Sequence, residues 1–426
     1  MESFVIEGGR PLRGTVRAAG NKNGALPILA ASLLASDEVR LTNVPRIRDV
    51  ETMVELLGRL GAEAEWTGPN EVRVDPRGVE RTELDPALAR EIRASFLLAG
   101  PLLARFGQVT VPPPGGDVIG RRRLDTHVHA FAALGASVEL DGVYQLAARE
   151  LRGTRVYLDE ASVMGTENAI MAASRAKGTT VLGHAACEPH IQDLCRFLVS
   201  LGARIEGIGS NVLHIEGVEE LSGGEYRIGP DHIEVASFVG LAAATGGEIV
   251  VEDVAPDDLI SIVPAFRKLG IEMEISESSV RLPPGQELRI EDDVGGQIPK
   301  IESGIWPAFP ADLTSIAVTV ATQARGTILI FEKMFESRLF FVDKLVSMGA
   351  RIILCDPHRV VVTGPAKLYG ERLESPDIRA GMAMLIAALC AEGRSTIGNI
   401  RQIDRGYERI DERLRALGAA IERAEL

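Results

Sequence analysis

Positively charged side chains in glycine-rich segments are the residues of this sequence whose types and spacing best fit chemistry. Lys22 and Asn23 lie in the small-residue segment 18–27, which leads into the apolar run 28–34. Small residues let the backbone approach a ligand, and a helix N-terminus favours anions, so the segment fits phosphate or carboxylate binding. It also fits a solvated loop lysine beside an asparagine cap. From this segment alone we favour the solvated lysine.

A second candidate is the proline- and glycine-rich loop 112–120, in which Asp117 is the single acid. Three consecutive arginines, Arg121, Arg122 and Arg123, follow at the predicted start of a helix. Positive charge at a helix N-terminus opposes the helix dipole. A bound phosphate would offset that cost through charge-assisted hydrogen bonds. We therefore favour anion binding over a solvated basic turn in this loop.

Single charged residues elsewhere are weaker candidates. Arg338, Arg379 and Arg405 each follow an acid closely in sequence, and each pair fits an ordinary surface ion pair. Arg93 stands in an apolar, predicted helical segment, where it is either a surface residue or an anion ligand. Asp312 follows two prolines and two aromatic residues at a predicted helix start, where an N-cap is a sufficient explanation.

Composition excludes several classes of function. Sixty acidic against 46 basic residues give a formal charge of −14, which disfavours nucleic acids and anionic membranes as partners. No apolar run reaches the roughly 18 residues that a membrane helix needs, and the N-terminus lacks a signal-peptide pattern. The four cysteines and seven histidines show no metal-ligand spacing, and no nucleotide-cofactor motif is present. We expect a cytoplasmic protein without metal, cofactor or membrane insertion.

The elements that must position these residues repeat along the chain. A phrase of the type Leu-Gly-Ala follows an amphipathic segment six times, 67–79 residues apart. A glycine there predicts a left-handed helix end with a strand after it. The six glycines are Gly61, Gly135, Gly202, Gly270, Gly349 and Gly418.

Between these phrases, an Ala/Leu-rich helix runs through a short turn into a β-branched strand, as at 242–251, 321–330 and 172–181. Each repeat therefore predicts two helices and about four strands, which makes the chain an α/β protein of six units. Repeats of about 70 residues exceed the usual solenoid period of roughly 20–50, so we expect two lobes of three units. The expected division lies near 229–231, with a ligand cleft between the lobes.

Taken together, these segments resemble the enolpyruvyltransferase family over essentially the whole chain. The resemblance is carried by the motifs at 20–27, 115–127, 309–312, 335–338 and 403–410. It implies a two-lobed inside-out α/β barrel with three βαβαββ repeats per lobe. One lobe would contain residues 22–229, with the nucleotide side and a mobile loop carrying Asp117. The other would contain 1–21 and 230–426, and the active site would lie in the cleft.

The resemblance also implies an activity. Members of the family transfer the enolpyruvyl group of phosphoenolpyruvate to an alcohol. The nucleotide-loop motif implies the 3′-hydroxyl of UDP-N-acetylglucosamine as acceptor, with release of phosphate, in the first committed step of peptidoglycan synthesis. The alternatives are a paralogue that acts on another nucleotide or alcohol and a catalytically silent nucleotide-binding relative.

Residue by residue, the resemblance assigns site roles. Asp117, Asp312, Lys22 and Arg405 would be catalytic, with Asp312 facing the sugar hydroxyl as a general-base candidate. Lys22 and Asn23 would hold phosphoenolpyruvate, and Arg122 and Arg405 would contact its phosphate and carboxylate. The further substrate-binding positions are Arg93, Arg123, Leu124, Asp125, Thr126, His127, Ser162, Val163, Met334, Glu336, Arg338 and Arg379.

Asp117 is the main departure from the family pattern. Many relatives carry a cysteine there that the drug fosfomycin alkylates, so the aspartate implies insensitivity. An ordinary aspartate pKa near 3.9 leaves the group ionised at neutral pH. We expect loop closure beside bound phosphate to raise that pKa enough for proton donation to C3 of phosphoenolpyruvate. The other departures, which bear on the acceptor, are Glu160, Cys187, His232 and Gln402.

Overall fold

The computed structural model describes residues 2–117 and 119–425. The chain divides into two compact units. Unit 1 comprises Met1–Ala19, Val118–Arg121 and Pro230–Leu426, and unit 2 comprises Gly20–Asp117 and Arg122–Gly229. The chain thus starts in unit 1, builds unit 2 and returns. The short stretch Val118–Arg121, which was expected to belong with the lobe 22–229, groups with unit 1.

The strands of the described residues, numbered in chain order, are β1 (Glu2–Glu7), β2 (Arg13–Arg17), β3 (Val39–Thr42), β4 (Glu63–Gly68), β5 (Glu71–Asp75), β6 (Gln108–Val111), β7 (Ser137–Leu140), β8 (Tyr144–Ala147), β9 (Arg155–Tyr157), β10 (Thr179–Gly183), β11 (Arg204–Glu206), β12 (Val212–Glu216), β13 (Gly224–Arg227), β14 (Glu248–Glu252), β15 (Glu274–Ile275), β16 (Ser279–Leu282), β17 (Lys300–Glu302), β18 (Gly326–Phe331), β19 (Arg351–Asp356), β20 (Arg359–Gly364), β21 (Arg372–Glu374), β22 (Arg394–Gly398) and β23 (Ala420–Glu425).

The α-helices of the same residues are α1 (Lys22–Ala31), α2 (Arg48–Leu60), α3 (Pro86–Ala89), α4 (Ala99–Phe106), α5 (Asp125–Ala133), α6 (Val163–Ala173), α7 (Pro189–Ser200), α8 (His232–Ala244), α9 (Ile262–Lys268), α10 (Thr314–Ala321), α11 (Val342–Ser347), α12 (Ile378–Cys390), α13 (Arg401–Asp404) and α14 (Ile410–Ala416). Short 3₁₀ helices occur at Ser32–Leu34, Pro76–Gly78, Arg93–Leu98, Pro256–Leu259 and Ala311–Leu313.

Six sheets carry the described strands, three in each unit. In unit 1 the strand orders are β21-β22-β1-β23, β15-β16-β14-β2 and β17-β18-β20-β19. In unit 2 they are β13-β3-β5-β4, β6-β8-β7 and β11-β12-β10-β9. Five of the six sheets join one parallel strand pair to antiparallel ones; the three-stranded sheet pairs antiparallel throughout. The predicted α/β class with six repeats, three per unit, is confirmed.

The predicted helix-end glycines are confirmed at all six positions. Each has a φ between 80° and 108°, the left-handed region that glycine enters without a Cβ penalty. In each case a helix of the described set ends just before the glycine and a strand begins within a few residues after it. The regular spacing of these glycines in the sequence therefore reflects the structural repeat. The glycines are Gly61, Gly135, Gly202, Gly270, Gly349 and Gly418.

The Ala/Leu-rich helices form the interior of each unit. In unit 1, α8, α10 and α12 pack on one another, and nearly every one of their residues is buried. In unit 2, α1, α4 and α6 are similarly buried. A helix that is apolar on all sides needs cover on all sides, which the surrounding sheets and helices provide. None of the described helices combines the length and the apolar character needed to cross a bilayer.

Candidate active site

Lys22 begins helix α1 of unit 2. The side chain of Asn21 caps the helix by accepting hydrogen bonds from the backbone N–H groups of Asn23 (2.9 Å) and Gly24 (3.2 Å). Lys22 itself is buried, and its Nζ lies 2.9 Å from Oδ2 of buried Asp49 in the first turn of α2. The predicted cap is thus confirmed, and the alternative of a solvated lysine is wrong. A buried ammonium held by a buried carboxylate has a fixed direction, as an anion ligand needs.

Arg93 is the first residue of a 3₁₀ helix, not an interior helix residue as expected. Its Nη2 donates to the backbone carbonyl oxygens of Arg122 (2.7 Å) and Arg123 (3.1 Å). Burial and the nearby charge of Arg122 lower the pKa of Arg93 to about 10. Its positive charge is therefore poorly compensated, and an anion nearby would be favourable.

The arginine triplet precedes helix α5 and does not form its first turn, because the helix begins at Asp125 after the N-cap Leu124. Arg123 forms an ion pair with Asp159, and the hydroxyl of buried Thr126 donates to the same carboxylate at 2.7 Å. Asp159 thus fixes the start of α5 beside the chain that leads into α6.

The start of α6 belongs to the same group of residues. The Oγ of Ser162 caps this helix by accepting from the backbone N–H of Gly165 at 3.2 Å. Val163 is its first residue, and both Ser162 and Val163 are half-buried. Glu160 is exposed, yet its charge acts on Arg93 and on Arg123. The departure at Glu160 therefore adds a negative charge to this arginine group.

In unit 1, Asp312 lies between two buried arginines. Its Oδ1 accepts from Nη2 of Arg338 at 2.9 Å, and its Oδ2 accepts from Nε of Arg379 at 3.0 Å. The α10 helix starts after Leu313, so the expected role of Asp312 as an N-cap is wrong. The surface ion pairs expected for Arg338 and Arg379 are wrong as well, since both arginines are buried and bind a distant acid.

Tyr407 extends this network. Its hydroxyl accepts from Nη1 of Arg379 at 3.1 Å and lies 3.1 Å from Oγ of Ser237. Burial disfavours the charge of Arg379, but attraction to Asp312 outweighs that cost and raises the Arg379 pKa above its ordinary value. Asp312 is thus the counter-charge of a buried arginine. Its side chain is 28% exposed, so part of it remains open to a hydroxyl.

The segment containing Met334 and Glu336 is fixed by a buried acid. Oε1 of Glu332 accepts from the backbone N–H of Met334 at 2.8 Å, while the Thr314 hydroxyl donates to Oε2 at 2.6 Å. Exposed Glu336 accepts from the backbone N–H of Arg121 at 3.3 Å. Residues 119–121 therefore pack on the 334–338 segment inside unit 1.

The remaining predicted residues are spread over both units. Half-buried Arg405 of unit 1 donates to Oε1 of Gln402 at 2.8 Å. His232, another departure, starts α8 and stacks edge-on against Trp306, with ring centroids 6.0 Å apart. In unit 2, Asp117 is half-buried, and burial raises the pKa of the Cys187 thiol.

Each unit brings its predicted residues to the N-terminal ends of helices. In unit 2 these are Lys22 on α1, Thr126 on α5 and Ser162 on α6; in unit 1 they are Asp312 before α10 and Arg379 on α12. Helix N-terminal ends carry partial positive charge and exposed N–H groups, which suit phosphate and carboxylate ligands. No group of three or more potential metal ligands occurs among residues 2–117 and 119–425.

Sequence reasoning missed three residues that hold predicted site residues in place: Asp49, Asp159 and Tyr407. Tyr407 lies in the motif 403–410, in which only Arg405 was singled out. The others carried no local signal, because an acid in a helix turn or after a strand is ordinary on a surface. Their roles come from partners that are distant in sequence.

Comparison with known proteins shows which family the chain resembles over nearly its whole length. The family model of EPSP synthase (3-phosphoshikimate 1-carboxyvinyltransferase) matches residues 6–414. A Bradyrhizobium diazoefficiens protein named UDP-N-acetylglucosamine 1-carboxyvinyltransferase is 57% identical over 99% of this chain and 97% of its own. A Treponema denticola protein of the same name is 53% identical over all of both chains.

Solved structures give the same result for the fold. The enolpyruvyl transferase NikO from Streptomyces tendae superposes with a TM-score of 0.89 at 26% identity, covering 99% of both chains. EPSP synthase from Acinetobacter baumannii, at 18% identity and a TM-score of 0.77 over the whole of both chains, shares the fold. The chain therefore belongs to the EPSP synthase family of carboxyvinyl transferases.

Proposed function

We propose that this protein is a transferase that moves the enolpyruvyl group of phosphoenolpyruvate to the 3′-hydroxyl of UDP-N-acetylglucosamine and releases phosphate. The observation that carries the proposal is near-complete alignment, at 57% and 53% identity, with relatives named for this reaction. The buried cations of both units support it, because both substrates are anionic. We propose that groups of both units act on the same bound substrates.

The chemistry is an addition followed by an elimination. A proton is added to C3 of phosphoenolpyruvate while the sugar oxygen bonds to C2, which develops cationic character. The resulting tetrahedral ketal then loses a C3 proton and inorganic phosphate, so the double bond is restored. The protein must therefore supply a proton donor at C3, a group that takes the hydroxyl proton, and cations for the phosphate and carboxylate.

In this reaction Asp312 accepts the hydrogen bond of the sugar hydroxyl. The two arginines that hold its oxygens fix the direction of this carboxylate, and Asp312 takes the proton of the hydroxyl as the sugar oxygen bonds to C2. Lys22, held by Asp49, and Arg405 supply positive charge for phosphoenolpyruvate. Asp117 serves as the acid that protonates C3.

Phosphate release from phosphoenolpyruvate tests the reaction. Purified protein is assayed in parallel with UDP-N-acetylglucosamine, UMP and shikimate 3-phosphate as acceptors. We expect release only with the first. Release with shikimate 3-phosphate or UMP would establish a different acceptor, and no release with any acceptor would indicate a catalytically silent relative.

Asp117 has its own test. The Asp117→Asn variant keeps the shape of the side chain without an ionisable proton, so we expect its turnover to fall about 10²–10⁴-fold, the usual contribution of a general acid. Asp117→Cys should retain activity and become sensitive to alkylation by fosfomycin, whereas the wild type should resist it. An unchanged pH profile in Asp117→Asn would rule out this residue as the acid.

A second candidate acceptor is another alcohol, and one observation favours it. The exposed carboxylate of Glu160 acts on Arg93 and Arg123, which reduces the positive charge available to a diphosphate. An acceptor with less negative charge would suffer less from this effect. The parallel assay above distinguishes the two candidates.

A further inference from the structure

Asn168 is a fully buried amide on helix α6 of unit 2. Its Oδ1 accepts from the backbone N–H of Gly100 at 2.9 Å, and its Nδ2 donates to the carbonyl oxygen of Phe96 at 2.9 Å. The same Nδ2 lies 2.9 Å from Nδ1 of buried His127. All three polar contacts of this amide are therefore made inside the unit.

These contacts fix which end of the amide is which. A backbone N–H can only donate, so the atom that faces Gly100 is the oxygen; a backbone carbonyl can only accept, so the atom that faces Phe96 is the nitrogen. The –NH₂ group therefore faces the imidazole of His127. Because that group only donates, Nδ1 of His127 must accept, and the ring hydrogen must lie on Nε2.

The ring is also held neutral and in place. Burial, with the charge of Arg93 as a smaller cause, lowers the pKa of His127 to about 3. Phe96 packs edge-on against the imidazole with ring centroids 5.0 Å apart, and Tyr144 packs edge-on against Phe96 at 5.2 Å. Among residues 2–117 and 119–425, no protein group forms a hydrogen bond with Nε2 of His127. The Nε2–H group thus remains able to donate to a ligand.

We propose that Asn168 is a positioning residue that holds His127 as a neutral Nε2–H donor for an oxygen of the bound nucleotide. The proposal rests on the function proposed above, and it assigns His127 one defined task in that site. His127 directly follows the 122–126 segment, and its imidazole contacts Asn168 on α6, the helix that Ser162 caps. A neutral donor can satisfy an accepting oxygen there without adding charge to the group of arginines.

The first test is a measurement on the wild-type protein. Selective ¹⁵N labelling of histidine, with long-range ¹H–¹⁵N correlation, reports which ring nitrogen carries hydrogen; a His127→Phe spectrum identifies the signal. We expect Nδ1 of His127 to be unprotonated and Nε2 protonated, without change between about pH 5 and pH 8. A protonated Nδ1, alone or together with a protonated Nε2, would overturn the proposal.

The second test uses Asn168→Asp. The carboxylate can still accept from Gly100 but cannot donate to Nδ1, so the ring hydrogen should move to Nδ1 and Nε2 should lose its donor role. We expect the KM for UDP-N-acetylglucosamine to rise about tenfold with kcat nearly unchanged, the pattern for loss of a binding contact. A KM equal to that of the wild type, in a variant with the altered tautomer, would contradict the role.

Thr166→Val is the matched control. Thr166 is fully buried on the same helix, and its Oγ1 accepts from the backbone N–H of Ala186 at 2.9 Å without contact to His127. This variant should lose stability and keep both the His127 spectrum and the KM. If it matched Asn168→Asp in KM, a merely structural role would explain both.

The outcomes also separate this proposal from the proposed function. A wild type that shows the Nε2–H tautomer but releases no phosphate with UDP-N-acetylglucosamine would leave the positioning intact and refute the function. An active wild type with hydrogen on Nδ1 would refute the positioning alone.

Discussion

Two buried glutamates, one in each unit, are stabilised in different ways on helices α6 and α8. Glu234 in the first turn of α8 is buried, and Arg413 donates to both its oxygens at 2.7 and 2.9 Å. Glu167 on α6 is equally buried, but its Oε1 has no hydrogen-bond partner among the described residues. Burial, with the nearby charge of Glu188, raises the pKa of Glu167 well above its ordinary value.

The arginines differ in the same way. Arg379 of unit 1 is compensated by Asp312, and its pKa lies above its ordinary value. Arg93 of unit 2 is held by carbonyl oxygens, and its pKa is lowered to about 10. A cation held only by neutral groups gains more from an anionic ligand than one already paired. Arg93 should therefore gain more from a bound anion than Arg379, which Asp312 already compensates.

The largest effect is expected from Asp312→Asn, which removes the carboxylate paired with Arg338 and Arg379. The amide neither carries the charge that holds two arginines nor takes the hydroxyl proton, so kcat should fall about 10²–10⁴-fold in the phosphate-release assay. Asp356→Asn is the control, because it removes an ion-paired carboxylate at the end of β19. A kcat of Asp312→Asn close to that of the control would contradict the role of Asp312.

Opposite stability changes are expected at the two buried glutamates. Glu234→Gln leaves Arg413 without its counter-charge and should lower the free energy of unfolding by about 3 kcal/mol. Glu167→Gln should raise it, because unfolding releases the proton that burial keeps on Glu167. Chemical denaturation of both variants beside the wild type measures these changes.

The sign of the pH dependence follows from the raised pKa of Glu167. An unfolded glutamate titrates near its ordinary 4.5 and the folded one well above it, so the wild type loses stability as pH rises through that interval. The gain from Glu167→Gln should therefore grow between about pH 5 and pH 8. A constant difference across this range would show that Glu167 has no raised pKa.

Arg93→Lys tests how much the guanidinium of Arg93, which is held by backbone carbonyl oxygens, contributes to nucleotide binding. A single ammonium cannot reproduce the guanidinium contact with the carbonyls of Arg122 and Arg123, so the KM for UDP-N-acetylglucosamine should rise about tenfold. Arg105→Lys is the matched control in the same unit, since Arg105 donates to the carbonyl of Leu33 at 2.9 Å and burial lowers its pKa too. An equal rise in KM in both variants would show that Arg93 acts through stability alone.

The smallest effect is expected from Glu160→Gln. Removal of this exposed charge should strengthen the field of Arg93 and Arg123, and the KM for the nucleotide should fall about two- to threefold at low salt. The change should shrink as ionic strength rises. An increase in KM would mean that Glu160 makes a direct contact with the nucleotide.

The sequence by itself determined the repeat and its local geometry. The spacing of glycines such as Gly61 and Gly418 predicted the helix ends, and an asparagine cap was expected beside Lys22, because both signals depend on neighbours in the chain. The resemblance supplied the candidate site residues. The sequence did not show that Lys22 is buried, nor where helix α10 begins relative to Asp312.

Only the tertiary structure decided the partners. Asp312 binds Arg338 and Arg379, which are 26 and 67 residues away, and Lys22 binds Asp49 across two helices. The sequence around a charged residue does not show which group it will contact in the folded protein. That partner is set by how the buried helices pack and by the energetic cost of leaving a buried charge unpaired. Short-range patterns therefore fix the elements, and long-range packing fixes the chemistry.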